Sequence, residues 1–387
     1  MAGYVFSISK DGWRSFCEND LNKGFFTPYT IDISEDRLTN NKRKSSNKVL
    51  ASTFGDLITM KHGDNIYFLS DRKLYGIGAA YRIGTDCKYD NYIGASMMLP
   101  DCMIAPDSYL TTNSTRARWV FFFAPDPHFF KVGVDMDDVL RYRPSAFKML
   151  RAFEGLTFIK IDDEENRALK EFISLANEAA YEDIERSVFP TDSSLHNGIA
   201  RLNLEPHIMD INTALVPEGN DAFVVSEMFI ESALLQSLSS GENNAFGKWD
   251  YITHQLIASP FKPLQYIDKI DVFGYRFSQR YSGEPKLITK YLLVELKKER
   301  INRAALEQTM QYVDWVCQEY ASGDYSKIEA YVVGNSAVRD IRNIRDDVCQ
   351  RAFIASTHPA KPKKWNDLHL VRYDITDHVS FERIDDQ

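Results

Sequence analysis

The segment 291–297, Tyr-Leu-Leu-Val-Glu-Leu-Lys, places two charged residues at the end of an apolar run. In a β-strand successive side chains point to opposite faces. Glu295 and Lys297 therefore share one face, and Val294 and Leu296 point into the core. Charged groups in apolar surroundings cost free energy unless something pairs with them or uses them. The spacing thus predicts a chemical role for this carboxylate and ammonium.

A second acid lies in the preceding apolar segment, 267–274, Ile-Asp-Lys-Ile-Asp-Val-Phe-Gly. If the two segments pair as a hairpin, Asp271 and Glu295 can converge on one divalent cation. Carboxylate oxygens suit Mg²⁺ or Mn²⁺, and Lys297 would position or polarise the attacking water. Asp268 is a rival ligand on the opposite face of the strand, and the sequence leaves the choice open.

The order Asp271 … Glu295-Leu296-Lys297 resembles the PD-(D/E)XK nuclease superfamily. The residues 308–312, Gln-Thr-Met-Gln-Tyr, are similar to the Q-x-x-x-Y motif of related nucleases, and at this spacing Gln308 and Tyr312 share a helix face. The resemblance covers about residues 222–335 and implies that Gln308 and Tyr312 belong to the catalytic set. The chain departs from the family pattern in lacking the first proline and in the long gap between the two acids.

The same resemblance implies a further acid from an earlier helix, and Glu231 fits that position better than Glu227. Glu231, Asp271 and Glu295 would then be the metal ligands. The implied reaction is phosphodiester hydrolysis assisted by Mg²⁺ or Mn²⁺. Five basic residues are candidate phosphate contacts, although each taken singly is typical of a solvated surface: Arg276, Arg280, Lys298, Arg300 and Arg303.

The second half of the chain supplies alternating elements to position these residues. Its patterns predict helices at about 223–235 and 303–320, strands at about 266–277, 288–297 and 328–333, a polar helix near 336–354, and closing strands at 368–373 and 379–383. This is an α/β arrangement around a mixed sheet.

The first half reads as short strands with few long helices. Its segments 4–6, 63–68 and 74–78, together with Trp13, resemble the EVE/PUA-like group of small β-barrels related to YTH domains. The resemblance covers about residues 1–180 and implies a barrel that accommodates a flipped, modified base among aromatic rings. The candidate pocket residues are Trp13, Tyr75, Trp119 and Phe121, for which packing in the core is the alternative interpretation.

A length of 387 residues indicates two domains. We expect an α+β and α/β chain with a reader domain at 1–182, a proline-punctuated linker at 183–220, and a nuclease domain at 221–387. The net charge of −9 argues against a passive nucleic-acid coat, but not against an enzyme with a local basic groove. The five cysteines lack the spacing of a zinc site.

These features predict a metal-dependent DNA endonuclease, modification-dependent and of the antiphage restriction type, acting on modified phage DNA. One alternative is a nuclease guided by DNA structure or by a partner. Another is a non-catalytic nucleic-acid-binding protein with a decayed nuclease fold. No apolar run is long enough to cross a membrane, so we expect a cytoplasmic protein. Double-strand cutting would favour a homodimer, and an RNA substrate stays open.

Overall fold

The computed structural model describes residues 1–32, 51–91, 99, 115–153, 157–214, 226–241, 245–258, 269–281, 283, 285–375 and 378–385. Contacts divide the chain into two compact units, Met1–Ala214 and Leu215–Gln387. None of the helices in the described ranges is long and apolar enough to cross a membrane.

An eight-stranded sheet forms the frame of the first unit. Its strands are β1 (Gly3–Ser7), β2 (Phe25–Asp32), β3 (Asn65–Ser70), β4 (Lys73–Ala80), β5 (Lys88–Asp90), β6 (Thr115–Pro125), β7 (Val134–Asp135) and β8 (Phe158–Ile161). The main order is β2-β6-β4-β3-β1-β8, with β5 beside β6 and β7 beside β4. The pairing of β1 with β3 is parallel.

The sheet curls around an aromatic core. Phe6 on β1 lies 5.4 Å from Phe26 on β2 between ring centroids, although three strands separate β1 from β2 in the sheet order. In a flat sheet, neighbouring strands are about 4.8 Å apart, so these rings could not meet. Among the described residues the end strands β2 and β8 do not pair. In the described part of the unit, the expected barrel appears as a curled sheet whose end strands do not pair.

Helices of the first unit pack around this sheet. Residues 51–58 are helical. The other α-helices are Lys10–Asn19, Met136–Tyr142, Asp163–Ala176, Ile184–Ser187, Ser194–Ile199 and Ile211–Ala214, and the 3₁₀ turns are Leu21–Lys23, Leu150–Ala152, Glu178–Glu182 and Glu205–His207. Asp162 caps the longest helix by accepting hydrogen bonds from the backbone N–H groups of Glu164 and Glu165.

Residues 183–214 differ from the linker expected for 183–220, because they pack onto the first unit. Leu195 and Ile199 are buried, and the backbone N–H of Asp192 donates to the carbonyl of Asn22 at 2.7 Å. Pro190 lies outside regular structure, whereas Pro206 lies within the 3₁₀ turn Glu205–His207, and the short helices of this segment carry apolar side chains that dock. Residues 215–225 lie outside the described ranges.

A six-stranded mixed sheet forms the centre of the second unit, in the order β18-β17-β13-β11-β10-β9. The strands are β9 (Tyr251–Ile257), β10 (Lys269–Phe277), β11 (Ile288–Leu296), β13 (Ile328–Gly334), β17 (Leu368–Ile375) and β18 (Val379–Arg383). β11, β13 and β17 run parallel, and the remaining pairs are antiparallel. The unit therefore mixes α and β structure as expected. β9 is a strand that the sequence analysis missed.

The helices of the second unit are Glu227–Ser240, Arg303–Glu319 and Ile341–Val348, with a 3₁₀ turn at Tyr325–Lys327. Asn302 caps the second helix by accepting from the backbone N–H of Ala305 at 3.0 Å. The prediction of a polar helix near 336–354 is wrong about its length. Only Ile341–Val348 is helical, and two small sheets flank it: β12 (Arg300–Ile301) with β14 (Ser336–Ala337), and β15 (Arg351–Thr357) with β16 (Ala360–Trp365).

Candidate active site

The two central acids stand opposite each other at one end of the antiparallel pair β10–β11. Val272 pairs with Val294, so the next position along places Asp271 across from Glu295. The backbone N–H of Leu296 donates to Asp271 Oδ2 at 2.7 Å. β10 and β11 therefore pair as the hairpin predicted from the sequence. The two carboxylates come together next to its last pair, Val272 and Val294. Asp268 lies outside the described residues.

Lys297 links the acids to the helix Arg303–Glu319. Its Nζ donates to Glu295 Oε1 at 2.6 Å and to Gln308 Oε1 at 3.1 Å. Gln308 Nε2 in turn donates to the hydroxyl of Tyr312 at 3.0 Å. Since residues four apart on a helix share a face, the spacing of Gln308 and Tyr312 explains how both enter this network. The structure thus connects Glu295, Lys297, Gln308 and Tyr312 in one chain of hydrogen bonds.

Because the two carboxylates are buried, keeping both of them charged costs free energy. Glu295 is 2% exposed, and its Oε2 is buried without a hydrogen-bond partner among the described residues. Burial and the neighbouring charge of Glu295 raise the pKa of Asp271. Burial also raises the pKa of Glu295, although the Lys297 ammonium opposes the shift. A cation between these oxygens would offset this cost.

The side chain of Lys297 keeps its proton in this site. Burial works to lower the pKa of Lys297, but the hydrogen bond to Glu295 and the negative charges of Glu295, Asp271 and Glu227 together outweigh burial, and the pKa is raised. An amine with a raised pKa stays charged near neutral pH. Lys297 is therefore suited to donate hydrogen bonds to water or phosphate, and unsuited to remove a proton.

Glu231 occupies a different environment from the one implied for a third metal ligand. Its Oε1 lies 2.9 Å from His254 Nδ1, and Gln255 Nε2 donates to it at 3.3 Å. In the part of the chain that is described, no three His, Cys, Asp or Glu side chains are grouped so that they could hold a metal ion. Glu231 and Glu227 both raise the pKa of Asp271 through their negative charge, so both acids lie near the pair without completing a ligand set.

The five candidate phosphate contacts fall into two groups. Arg276 pairs with Glu329 at 2.5 Å, and Arg303 pairs with Asp347 at 2.9 Å, so both guanidinium groups already have structural partners. The other three side chains are exposed: Arg280, Lys298 and Arg300. Lys298 and Arg300 follow directly after the strand that carries Glu295.

The aromatic residues proposed for a base pocket pack mainly in the core of the first unit. Trp119 and Phe121 have no exposed surface. Trp13 is 9% exposed, and its ring lies 4.3 Å from the half-buried Tyr75. Packing in the core is therefore the interpretation that fits Trp13, Trp119 and Phe121, and Tyr75 is half-buried beside Trp13.

A cavity of about 360 Å³ lies elsewhere in the first unit. Tyr81 and His196 stack at its wall with ring centroids 5.2 Å apart, and Tyr81 is 44% exposed. Phe123 and Phe189 add aromatic surface, and Arg82 adds a positive charge. The sequence does not predict this site, because Tyr81 follows a strand while His196 lies in the segment interpreted as a linker.

Comparison with known proteins adds little to this geometry. No protein-family model matches the chain, and no curated protein matches it. Among solved structures, that of a repair endonuclease from Pyrococcus abyssi aligns over 33% of this chain and 46% of that chain, with 18% identity and a TM-score of 0.21. The alignment spans less than half of that protein, and a TM-score of this size does not establish a shared fold.

Two polar residues near the acids were not anticipated from the sequence. His254 and Gln255 lie on β9, beside β10, and contact Glu231. The signal for this strand was present in the β-branched and aromatic run 251–257, Tyr-Ile-Thr-His-Gln-Leu-Ile. The polar pair in its middle obscured the strand pattern.

Proposed function

We propose that the second unit is a divalent-metal-dependent DNA endonuclease. The observation that carries this proposal is the buried Glu295 Oε2, which has no hydrogen-bond partner in the described part of the chain and belongs to a carboxylate facing Asp271. Mg²⁺ needs only one or two carboxylates, together with water and substrate phosphate. The pair Asp271 and Glu295 therefore fits such an ion even without Glu231.

When bound, the ion supplies Lewis-acid stabilisation of the phosphate and a more acidic water. Asp271 and Glu295 would hold it. Lys297 keeps its proton, and it orients the attacking water or stabilises the charge that develops on phosphate. Gln308 fixes the direction of the Lys297 ammonium, and Tyr312 fixes Gln308.

Cleavage of DNA by the Glu295→Gln variant tests this proposal. Mixed linear and circular DNAs are incubated with Mg²⁺ or Mn²⁺, with and without a chelator. We expect the wild type to cut, and Glu295→Gln to lose at least about 100-fold in rate, in the range found when a central catalytic group is removed. Glu299→Gln is the matched control, because Glu299 is exposed on the following turn. Metal-independent cutting, or equal cutting by Glu295→Gln, rejects the proposal.

We further propose that the first unit restricts this activity to DNA with modified bases. The stacked and partly exposed pair Tyr81–His196 at the cavity supports this, because an aromatic wall can stack on a flat base. In the cleavage assay, phage DNAs with modified cytosine should be cut faster than plain DNA, and Tyr81→Ala should remove the difference. Equal cutting of both DNAs by the wild type would instead favour a nuclease directed by DNA structure or by a partner.

A further inference from the structure

The ribbon formed by β15 and β16 projects from the second unit and has no role in the site described above. Its strands pair antiparallel, from Arg351 opposite Trp365 to Thr357 opposite Ala360. Apart from Trp365, its side chains are exposed or half-buried. The ribbon pairs only within itself among the described strands.

Contacts at its base hold the ribbon in place. The Trp365 indole N–H donates to the carbonyl of Ile328 at 3.0 Å. Arg351 donates to both oxygens of Asp314, at 2.7 and 2.6 Å. A bidentate pair of this kind fixes direction as well as distance. The ribbon is thus anchored at one end, while its other end extends into solvent.

The charge of the ribbon is opposite to that of the whole chain. Residues 351–365 contain four basic residues and no acid, in a protein of net charge −9. Arg351 is used at the base, which leaves Lys361, Lys363 and Lys364. All three are exposed, and no described carboxylate forms an ion pair with them.

The pairing register spreads the free lysines over the ribbon. Lys363 lies opposite Phe353, Lys364 opposite Ala352, and Lys361 opposite Ser356. Because neighbouring side chains on a strand point to opposite faces, Lys363 and Lys364 present positive charge on both sides. A two-stranded ribbon fits the major groove of duplex DNA, which has phosphates along both walls.

We propose that this ribbon contacts the phosphate backbone of duplex DNA; the inference rests on the proposed nuclease function and extends it to the substrate-holding surface. Lysine is a compact point charge rather than a fork for base edges, so the contacts add affinity without sequence preference. The base of the ribbon meets Ile328, four residues before Val332, which pairs with Glu295. At about 3.3 Å per residue, the ribbon begins roughly 13 Å along the strand from the acids and would hold DNA flanking the cut.

Binding to a labelled duplex of 30 base pairs, followed by fluorescence anisotropy without divalent metal, tests this inference. The variant combines Lys361→Ala, Lys363→Ala and Lys364→Ala. We expect its Kd to rise at least about 10-fold, and the slope of log affinity against log salt to shrink by about 0.9 for each lysine that contacts a phosphate. The control combines Lys61→Ala, Lys73→Ala and Lys131→Ala, which removes the same charge from exposed positions of the first unit.

Several outcomes overturn the inference. One is an unchanged Kd and salt slope in the ribbon variant, as expected if the lysines only prevent edge-to-edge strand pairing. A second is an equal rise of Kd in the control variant, and a third is failure of the wild type to bind the duplex. A fourth is a ribbon variant that loses binding to phosphatidylserine vesicles while its binding to DNA is unchanged. Because no cleavage is required, a ribbon effect without nuclease activity would reject the proposed function and leave the ribbon inference standing.

Discussion

Glu295 is the single residue on which the proposed cation site chiefly rests. One carboxylate oxygen accepts from Lys297, and the other is buried without a hydrogen-bond partner in the described part of the chain. A buried, unpaired oxygen costs about 1–3 kcal/mol, and more when it is charged. This oxygen therefore destabilises the folded protein if nothing binds it. A positive ion beside Asp271 would offset that cost.

Gln308 is a positioning residue whose role can be separated from that of the acids. We expect Gln308→Leu to lower kcat about 10-fold and to change KM less than twofold, because the Lys297 ammonium would keep its bond to Glu295 but lose its second acceptor. Steady-state cleavage kinetics measure both constants.

Gln311→Leu is the matched control, since Gln311 is exposed on the same helix. Equal losses in the two variants would show a general effect on the helix. An unchanged kcat in Gln308→Leu would remove Gln308 from the network that serves the reaction.

At the scale of elements, the sequence predicted the two strands that carry the acids and the helix that carries Gln308 and Tyr312, but it did not predict the elements around them. β10, β11 and the helix Arg303–Glu319 have long, regular apolar patterns, and their positions agree with expectation wherever the chain is described. The ribbon β15–β16 was missed because most of its residues are exposed, so no face carries a buried pattern. The environment of Glu231 comes from His254 and Gln255 on β9, a strand whose pattern is interrupted by this polar pair.

The close pairing of β9 with β10 depends on Gly274. A Cβ at this position would lie 2.6 Å from the carbonyl oxygen of Tyr251, which belongs to the backbone and cannot rotate away. We expect Gly274→Ala to lower the free energy of unfolding by about 1–3 kcal/mol, as measured by urea denaturation.

In Gly283→Ala the nearest atoms belong to the side chain of Tyr281, which is 48% exposed and free to move. This control should change stability by less than about 0.5 kcal/mol. If the two substitutions cost the same, the strand contact at Gly274 is not the cause.

At the scale of the whole molecule, contacts divide the chain into two compact units, and the first unit extends to Ala214. Length alone predicts two domains, whereas the docking of short helices after residue 183 depends on contacts with distant residues. His196 Nε2 lies 2.9 Å from the carbonyl of Gly24, and His207 Nδ1 lies 2.7 Å from the carbonyl of Asp90. Pairs so far apart along the chain leave no local pattern in the sequence. Net charge was a poor guide too, because a ribbon with four basic residues and no acid belongs to a chain of net charge −9.

Truncation tests this boundary. A fragment of residues 1–214 should unfold cooperatively, and a fragment of residues 1–182 should be less stable by at least about 3 kcal/mol, because it lacks the buried Leu195 and Ile199. Thermal and urea unfolding followed by circular dichroism measure the difference. Equal stability of the two fragments would support a linker beginning at 183.

Anomalous diffraction from crystals grown with Mn²⁺ tests the central claim most directly, because it locates the ion without relying on activity. We predict a manganese peak between the carboxylates of Asp271 and Glu295, within about 2.0–2.3 Å of an oxygen of each, the distances typical of such ions. The peak should disappear in crystals of Glu295→Gln and persist in Glu299→Gln. No peak at this position with saturating Mn²⁺, or a peak that survives Glu295→Gln, would contradict a metal-dependent nuclease site built on these two acids.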